Sequence, residues 1–446
     1  MITKLVLDKK RIGHALGSAE IREFVEGFTA GTIPDYQMSA LAMAICCRGM
    51  TPRETADLTD AMMRSGRCLD WPESEGFAPT ADKHSTGGVG DKLSLVIQPL
   101  AAACGVMVPS LTGRGLGLTG GTADKLETIP GYDASLPLDA FVRTVRECGV
   151  SMTVQTDEIT PADRKLYALR DVTGTVASVP LIVASILSKK LAEGAGALVF
   201  DVKCGSGTFM KTPEEARELA AALVAGARAA GRKAAALVTD MSAPLGFAVG
   251  NANEVAEALE ILKGESSPLA ARLKDVTELC VEFAALMTSL ALGYEMGEAR
   301  SLAAARLADG SALDRFRRMV AAQGGDLGRF ADLLAKPAFR FRIQAPRSGA
   351  VTAIDAERVA RAAFMLGAGR GKTDDRIDPL AGVELAVRRG DRVTTGLALA
   401  TLSASFSPDG LEKAAAELLK AFEIAPGADA AQPKLVLERF DGTEGV

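Results

Sequence analysis

Residues 197–202, Ala-Leu-Val-Phe-Asp-Val, read as a short buried strand, and three further runs resemble it: Val106-Met107-Val108, Val150 to Val154 and Ala235 to Thr239. Helical segments separate these runs. Such alternation specifies a mainly parallel sheet covered by helices, with ligand loops at the carboxyl ends of the strands. Upstream, the first 65 residues are helical: Ile21, Phe24, Val25 and Phe28 recur at helix spacing behind a cap at Ser18, and Met38, Leu41, Ala42 and Ile45 fill a second face. Thr51-Pro52-Arg53-Glu54 is a capping box with proline at the first helical position. The expected fold class is therefore α/β: a small all-helical domain plus a larger α/β domain with a mainly parallel central sheet, and a C-terminal mixed α/β module. The helical domain is expected in two parts, residues 1–66 and 161–193, and the α/β domain likewise in two, 67–160 and 194–335. A Pro/Arg-rich linker starting at Pro337 leads to the C-terminal module, 340–446, whose runs Val383 to Val387 and Leu397 to Leu402 predict strands.

Composition narrows the partners. A chain of 446 residues with a net charge of -5 lacks the basic balance of a nucleic-acid-binding protein, so a small anion is the better candidate. No apolar run approaches the roughly 20 residues that cross a bilayer, and Met1 to Arg11 has no hydrophobic segment behind it, so neither a membrane partner nor a signal peptide is expected. The seven cysteines show no CxxC or Cys/His spacing, which predicts reduced thiols and a cytoplasmic location. Two histidines and scattered cysteines do not make a hydrolytic metal site.

Two glycine-rich stretches carry the chemistry: Asp82-Lys83-His84-Ser85-Thr86-Gly87-Gly88-Val89-Gly90-Asp91, and Thr112-Gly113-Arg114-Gly115-Leu116-Gly117-Leu118-Thr119-Gly120-Gly121-Thr122. Glycines let backbone N–H groups converge on an oxyanion. Ser85, Thr86, Ser94, Thr112 and Thr122 add hydroxyl donors, Lys83 adds a point charge, and a helix beginning after Asp91 aims its N-terminus at the same place. Neither loop is GxxxxGK[ST], which excludes a P-loop. Gly115, Gly117 and Gly120 spell GxGxxG, but no clear second strand ending in an acid follows, so a dinucleotide site is discounted.

The blocks DKHSTGGVGDKLSL, TGRGLGLTGGTADKLETIPGY, PADRKLYALRDVTGTVASVPLIVASILSKKLAEG and DVKCGSGTFM, in that order, resemble the signatures of thymidine and pyrimidine-nucleoside phosphorylases. The resemblance continues through TDMSAPLGFAVGNANEV and GAGRGKTDDRIDPLAGVELAVRRGD, covering nearly the whole chain. It implies reversible phosphorolysis of a pyrimidine nucleoside to free base and an α-pentose 1-phosphate. It also implies a homodimer joined through the helical domain, with the helical and α/β domains closing over a cleft. By the same resemblance Lys83, Ser85, Ser94, Thr112 and Thr122 would hold phosphate. His84, Arg170 and Lys189 would be catalytic; Ser185 would join them on the base, and Tyr167, Ile182, Ile186 and Phe209 would wall the pyrimidine slot. Ser185 and Lys189 are four residues apart, on one helix face. No cofactor is expected: phosphate is a substrate, and where some relatives bind a monovalent cation the ammonium of Lys92 would take its place.

Plainer readings stand beside these. Arg170 could pair with Asp163 or Asp171, Lys189 could end its helix in solvent, Asp124-Lys125-Leu126-Glu127 reads as a charged first turn pairing with loop arginines, and Arg114 is open between folding its loop and touching phosphate. His14, with no motif around it, reads as structural. Leu118 replaces a histidine common among relatives, which would bear on closure, and Ser110 replaces a larger residue, which would leave room for a ribose 2′-hydroxyl. Two alternatives to the phosphorylase remain: an anthranilate-type phosphoribosyltransferase, whose acidic magnesium-binding pair is missing here, and a non-catalytic nucleoside-binding protein of the same fold.

Overall fold

The structure is a computed structural model and describes residues 2–115, 118, 120–336, 339–370, 375–427 and 434–441. Gly117 of the second loop, Pro337 of the linker and residues 371–374 of the last motif block lie outside that set.

Four helices open the chain, α1 (Thr3–Arg11), α2 (Ser18–Thr29), α3 (Asp35–Arg48) and α4 (Pro52–Met63), and bury Phe24, Phe28, Leu41 and Ile45 in one core. The predicted capping box holds: Thr51 Oγ1 accepts the Glu54 N–H at 3.2 Å and the Glu54 carboxylate accepts the Thr51 N–H at 2.8 Å. At α2 the expectation is corrected. The cap is Gly17, whose N–H donates to Glu20 Oε2 at 2.6 Å, while Ser18 is the first helical residue and turns its hydroxyl to Asp57. A carboxylate is the stronger acceptor and takes the orphan N–H.

The α/β layer starts with β1 (Ala81–Ser85), α5 (Leu93–Ala103), β2 (Val108–Thr112), α6 (Thr122–Leu126), α7 (Leu138–Cys148) and β3 (Val150–Val154). Strand β2 begins at Val108, two residues beyond the predicted start, because Met107 makes only a single bridge to Thr80. Helices α8 (Pro161–Thr173) and α9 (Val179–Ala192) pack on α2, α3 and α4, placing Ala162, Leu166, Leu181 and Ala184 in the helical core. The chain returns as β4 (Ala197–Cys204), α10 (Pro213–Ala229), β5 (Lys233–Asp240), β6 (Ala248–Gly250), α11 (Ala252–Leu262), α12 (Lys274–Leu292), α13 (Met296–Ala308), α14 (Ser311–Ala322) and α15 (Leu327–Leu334).

The last segment contributes β7 (Phe339–Gln344), β8 (Gly349–Ile354), α16 (Ala356–Met365), β9 (Gly382–Leu385), β10 (Arg392–Val393), β11 (Ala398–Ala404), α17 (Leu411–Leu419), β12 (Phe422–Ala425) and β13 (Val436–Phe440). Strands β1, β4 and β5 are parallel, with β13 antiparallel at the edge, and β2 pairs with β3 in parallel. The C-terminal sheets, β6-β9-β11-β7 and β10-β8-β12, are antiparallel. Two strands are thus exchanged between layers: β6 joins the C-terminal sheet and β13 joins the central one.

The register of β1 on β4 places Lys83 beside Val199, His84 beside Phe200 and Ser85 beside Asp201. Neighbouring side chains of a strand point to opposite faces. Val199 lies in the core shared with α5 and α12, and Phe200 lies in the core shared with α9 and α10. Lys83 and His84 therefore serve different sides of one sheet.

Candidate active site

His84 sits on β1, one residue before its end, where the sequence suggested a loop. A strand fixes its direction. The side chain is half-buried, and burial first, then the Lys190, Lys189 and Lys83 charges, hold its pKa well below the ordinary imidazole value of 6.5. At neutral pH it is an uncharged ring with one N–H to donate.

On the facing helices, Arg170 is buried in α8 and donates from Nε to Thr175 O at 3.1 Å, from one terminal nitrogen to Leu181 O at 2.9 Å and from the other to Val176 O at 2.7 Å. It pairs with neither Asp163 nor Asp171 through a hydrogen bond; instead it clamps the turn between α8 and α9. A guanidinium has five N–H groups, so two remain after these bonds. Lys189 is not a solvated helix end either. Its ammonium donates to Asp163 Oδ2 at 2.5 Å and Ser185 Oγ at 2.9 Å, and lies 5.6 Å from the Tyr167 ring centre. Burial lowers the Lys189 pKa and raises that of Tyr167. Ile182 is half-buried, whereas Ile186 packs into the core between α9, α10 and the sheet. Phe209, in the turn after β4, is 45% exposed.

The proposed phosphate residues lie on the other side of β1. Ser85 ends β1, Ser94 is the second residue of α5, Thr112 ends β2 and Thr122 begins α6. Lys125 ties the two loops together, donating to Asp91 O at 2.7 Å and pairing with Glu254 at 2.8 Å. Several amides expected to face an anion are engaged inside the loops. The Gly115 and Gly121 N–H groups donate to Asp124 Oδ2 at 2.5 and 3.0 Å, and the Gly87 N–H donates to Ser85 Oγ at 3.1 Å. Asp124 also pairs with Arg370 at 2.7 Å, and Arg114 grips Glu127 through both terminal nitrogens, so Arg114 folds its loop. A Cβ on Gly121 would meet Gly113 O at 2.4 Å, which is why that turn requires glycine.

Three charged residues here escaped the sequence reading: Asp91, Asp201 and Lys203. Lys83 Nζ lies 2.9 Å and Lys203 Nζ 2.7 Å from the same oxygen, Asp201 Oδ2. The Ser85 hydroxyl donates to Asp91 Oδ2 at 2.5 Å. Burial would raise the Asp91 pKa, but Lys203, Lys83 and Lys125 outweigh it and keep the carboxyl ionised. The signal was present in Asp201 and Lys203, charges two apart in an otherwise apolar strand.

Lys92 is fully buried and its ammonium meets three oxygens: Leu245 O at 2.7 Å, Ala248 O at 3.0 Å and Glu257 Oε2 at 2.5 Å. Ser110 is buried on β2 and accepts a hydrogen bond from Gln98 Nε2 at 3.1 Å, a donor that also reaches Asp82. Leu118 lines a groove of about 450 Å³ with Phe364, Met365 and Lys413 of the C-terminal module.

Comparison with known proteins finds matches along most of the chain. Residues 4–66 match the glycosyl transferase family helical bundle domain, 78–313 the glycosyl transferase family a/b domain, and 350–425 the pyrimidine nucleoside phosphorylase C-terminal domain. The chain is 47% identical over 400 residues to a pyrimidine-nucleoside phosphorylase of Geobacillus stearothermophilus, covering 89% of this chain and 90% of that one. It is 45% identical over 434 residues to the Bacillus subtilis (strain 168) pyrimidine-nucleoside phosphorylase, covering 97% and 98% respectively. Among solved structures it resembles anthranilate phosphoribosyltransferase from Thermus thermophilus, with a TM-score of 0.56 and 23% identity over 71% of this chain and 98% of that one. That last likeness concerns the fold.

Proposed function

Because the chain belongs to the pyrimidine-nucleoside phosphorylase family, we propose that it catalyses reversible phosphorolysis of thymidine, deoxyuridine and uridine to the free base and (deoxy)ribose 1-phosphate. The observation that carries the reading is the split across β1: Lys83 and Ser85 turn to one face of the strand, and His84 to the other, where the Lys189 and Lys190 charges act on it.

The bond between sugar and pyrimidine nitrogen stretches as phosphate approaches, so positive charge grows on the sugar and negative charge on the base. Phosphate held by Lys83, Ser85, Ser94, Thr112 and Thr122 attacks the anomeric carbon and offsets the first charge. Neutral His84 donates its N–H to a base carbonyl, Lys189 supplies its remaining proton, and Arg170 its two unused N–H groups, to offset the second. Because His84 is uncharged, it stabilises the leaving base as a dipole rather than as an imidazolium acid. Tyr167, Ile182, Ile186 and Phe209 flank the ring, with exposed Phe209 brought over it when the domains close.

No cofactor is required in this reading, since Lys92 fills an oxygen-lined position suited to a monovalent cation. We further propose a homodimer through the helical domain, supported by the exposed apolar residues Ile12, Tyr36 and Met43 on it, and a cytoplasmic location. Ultraviolet-monitored base release from thymidine, deoxyuridine and uridine, with and without inorganic phosphate, tests the function. Release that depends on phosphate is expected; nucleosides left intact in its presence would overturn the reading.

A further inference from the structure

We propose that Lys203 is a positioning residue of the phosphate site, neutralising Asp201 so that the ammonium of Lys83 is released to an incoming anion. The inference deepens the phosphorylase reading and rests on it for the place of Lys83.

Lys83, Asp201 and Lys203 are completely buried on one face of the β1–β4 pair, with the Lys83 ammonium 5.4 Å from the Phe283 ring centre on α12. Both ammonium groups approach the same oxygen, Asp201 Oδ2, and neither makes a well-directed hydrogen bond there. The other oxygen is committed to the Thr239 hydroxyl at 2.7 Å. One carboxylate thus faces two buried cations. The nearest further anion is Asp91, 4.0 Å from Lys203, which already receives the Ser85 hydroxyl.

Charge counting gives the consequence. Lys83, Lys203, Asp201 and Asp91 sum to zero, and the adjacent pairs Lys125–Glu254 and Lys92–Glu257 are neutral by themselves. Remove Lys203, and Lys83 becomes one half of a closed ion pair with Asp201 while Asp91 leaves the cluster at net -1, facing an anion. With Lys203 in place, Asp201 keeps a partner when Lys83 swings away. Lys203 also holds the strand end in register: its N–H donates to Thr86 Oγ1 at 2.9 Å, and the Thr86 N–H donates to Asp201 O at 3.0 Å. Those contacts are backbone ones that a side-chain substitution preserves.

Calorimetric titration with inorganic phosphate tests this without needing turnover. Lys203→Met should weaken phosphate binding about 30-fold or more, the scale of one unit charge a few ångströms away at intermediate dielectric. The pair K203M/D201N restores the charge count and should return phosphate affinity to within about threefold of the parent, a non-additivity expected of directly coupled groups. In turnover assays of Lys203→Met, KM for phosphate should rise while KM for nucleoside stays put. An unchanged phosphate affinity in Lys203→Met, a parallel rise in both KM values, or no recovery in the pair would overturn the proposal. Should Lys203→Met fail to fold, the pair alone decides, recovery supporting and loss refuting. Phosphate binding by the parent without base release would sink the phosphorylase reading and leave this inference standing; no phosphate binding by the parent would sink both.

Discussion

Lys92 shows how much one side chain can decide. Three oxygens, two of them backbone carbonyls, converge on its ammonium in the manner of ligands on a monovalent cation. Lys92→Ala is expected to cost about 3–5 kcal/mol, because Glu257 is left buried and unpaired. Potassium chloride should restore part of that loss where choline chloride does not, while turnover of the parent should be indifferent to the choice; urea denaturation and parallel assays in the two salts check both. His84 carries a second prediction. Its folded-state pKa lies below the ordinary 6.5, so its contribution to stability is full above about pH 6.5 and is lost as pH falls beneath that value. Relative to His84→Gln, the parent should therefore lose stability between about pH 7 and 5, measured by denaturant midpoints. His84→Ala should lower turnover by about 10²–10³ at neutral pH without unfolding the chain, and an unchanged rate would remove it from the chemistry.

Among the elements, α4 is anchored by a single carboxylate. Glu54 is buried and accepts from Lys10 Nζ at 2.7 Å, the Leu16 N–H at 2.8 Å and the Thr51 N–H at 2.8 Å. Burial opposes its ionisation, but the Leu16 N–H and Lys10 prevail and bring its pKa to about 2. Glu54→Gln strands the Lys10 ammonium and should destabilise the protein by about 3–5 kcal/mol at neutral pH. The parent keeps this contribution above about pH 4.5 and loses it as pH falls through about 2, so the gap between parent and variant should close in acid, as urea titrations at several pH values would show. The capping box behind this anchor was legible in the sequence, as were β3, β4 and β5, because apolar runs of strand length and Thr-Pro-x-Glu are local signals. Strand β1 was not, since Ala-Asp-Lys-His-Ser alternates nothing apolar and its charges are satisfied only by distant partners. The three-residue β6 and the tail strand β13 were equally silent: their pairing partners lie far along the chain, and no periodicity records them. Site residues could be named from motif blocks, but the burial of Ser110 and the sharing of Asp201 depend on which face of a strand meets which helix.

At the scale of the whole molecule, the exchange of β6 and β13 welds the C-terminal module to the α/β layer. Ending the chain at Gly427 removes β13, along with the pairs Arg217–Glu438 and Arg439–Glu282, and bares the edge of β5. A fall in melting temperature of about 5 °C is expected, with phosphorolysis retained in the cold, as thermal melts and assays would record. The helical and α/β domains are tied differently. Lys189 binds Asp163 on α8, whereas the very next residue, Lys190, binds Asp82 on β1, the Leu111 carbonyl of β2 and Glu193. Two consecutive residues are stapled to opposite jaws. If the domains close over the nucleoside as proposed, the pivot falls at the C-terminal end of α9, and a pair of spectroscopic labels should then report a large excursion only when set well away from that fulcrum.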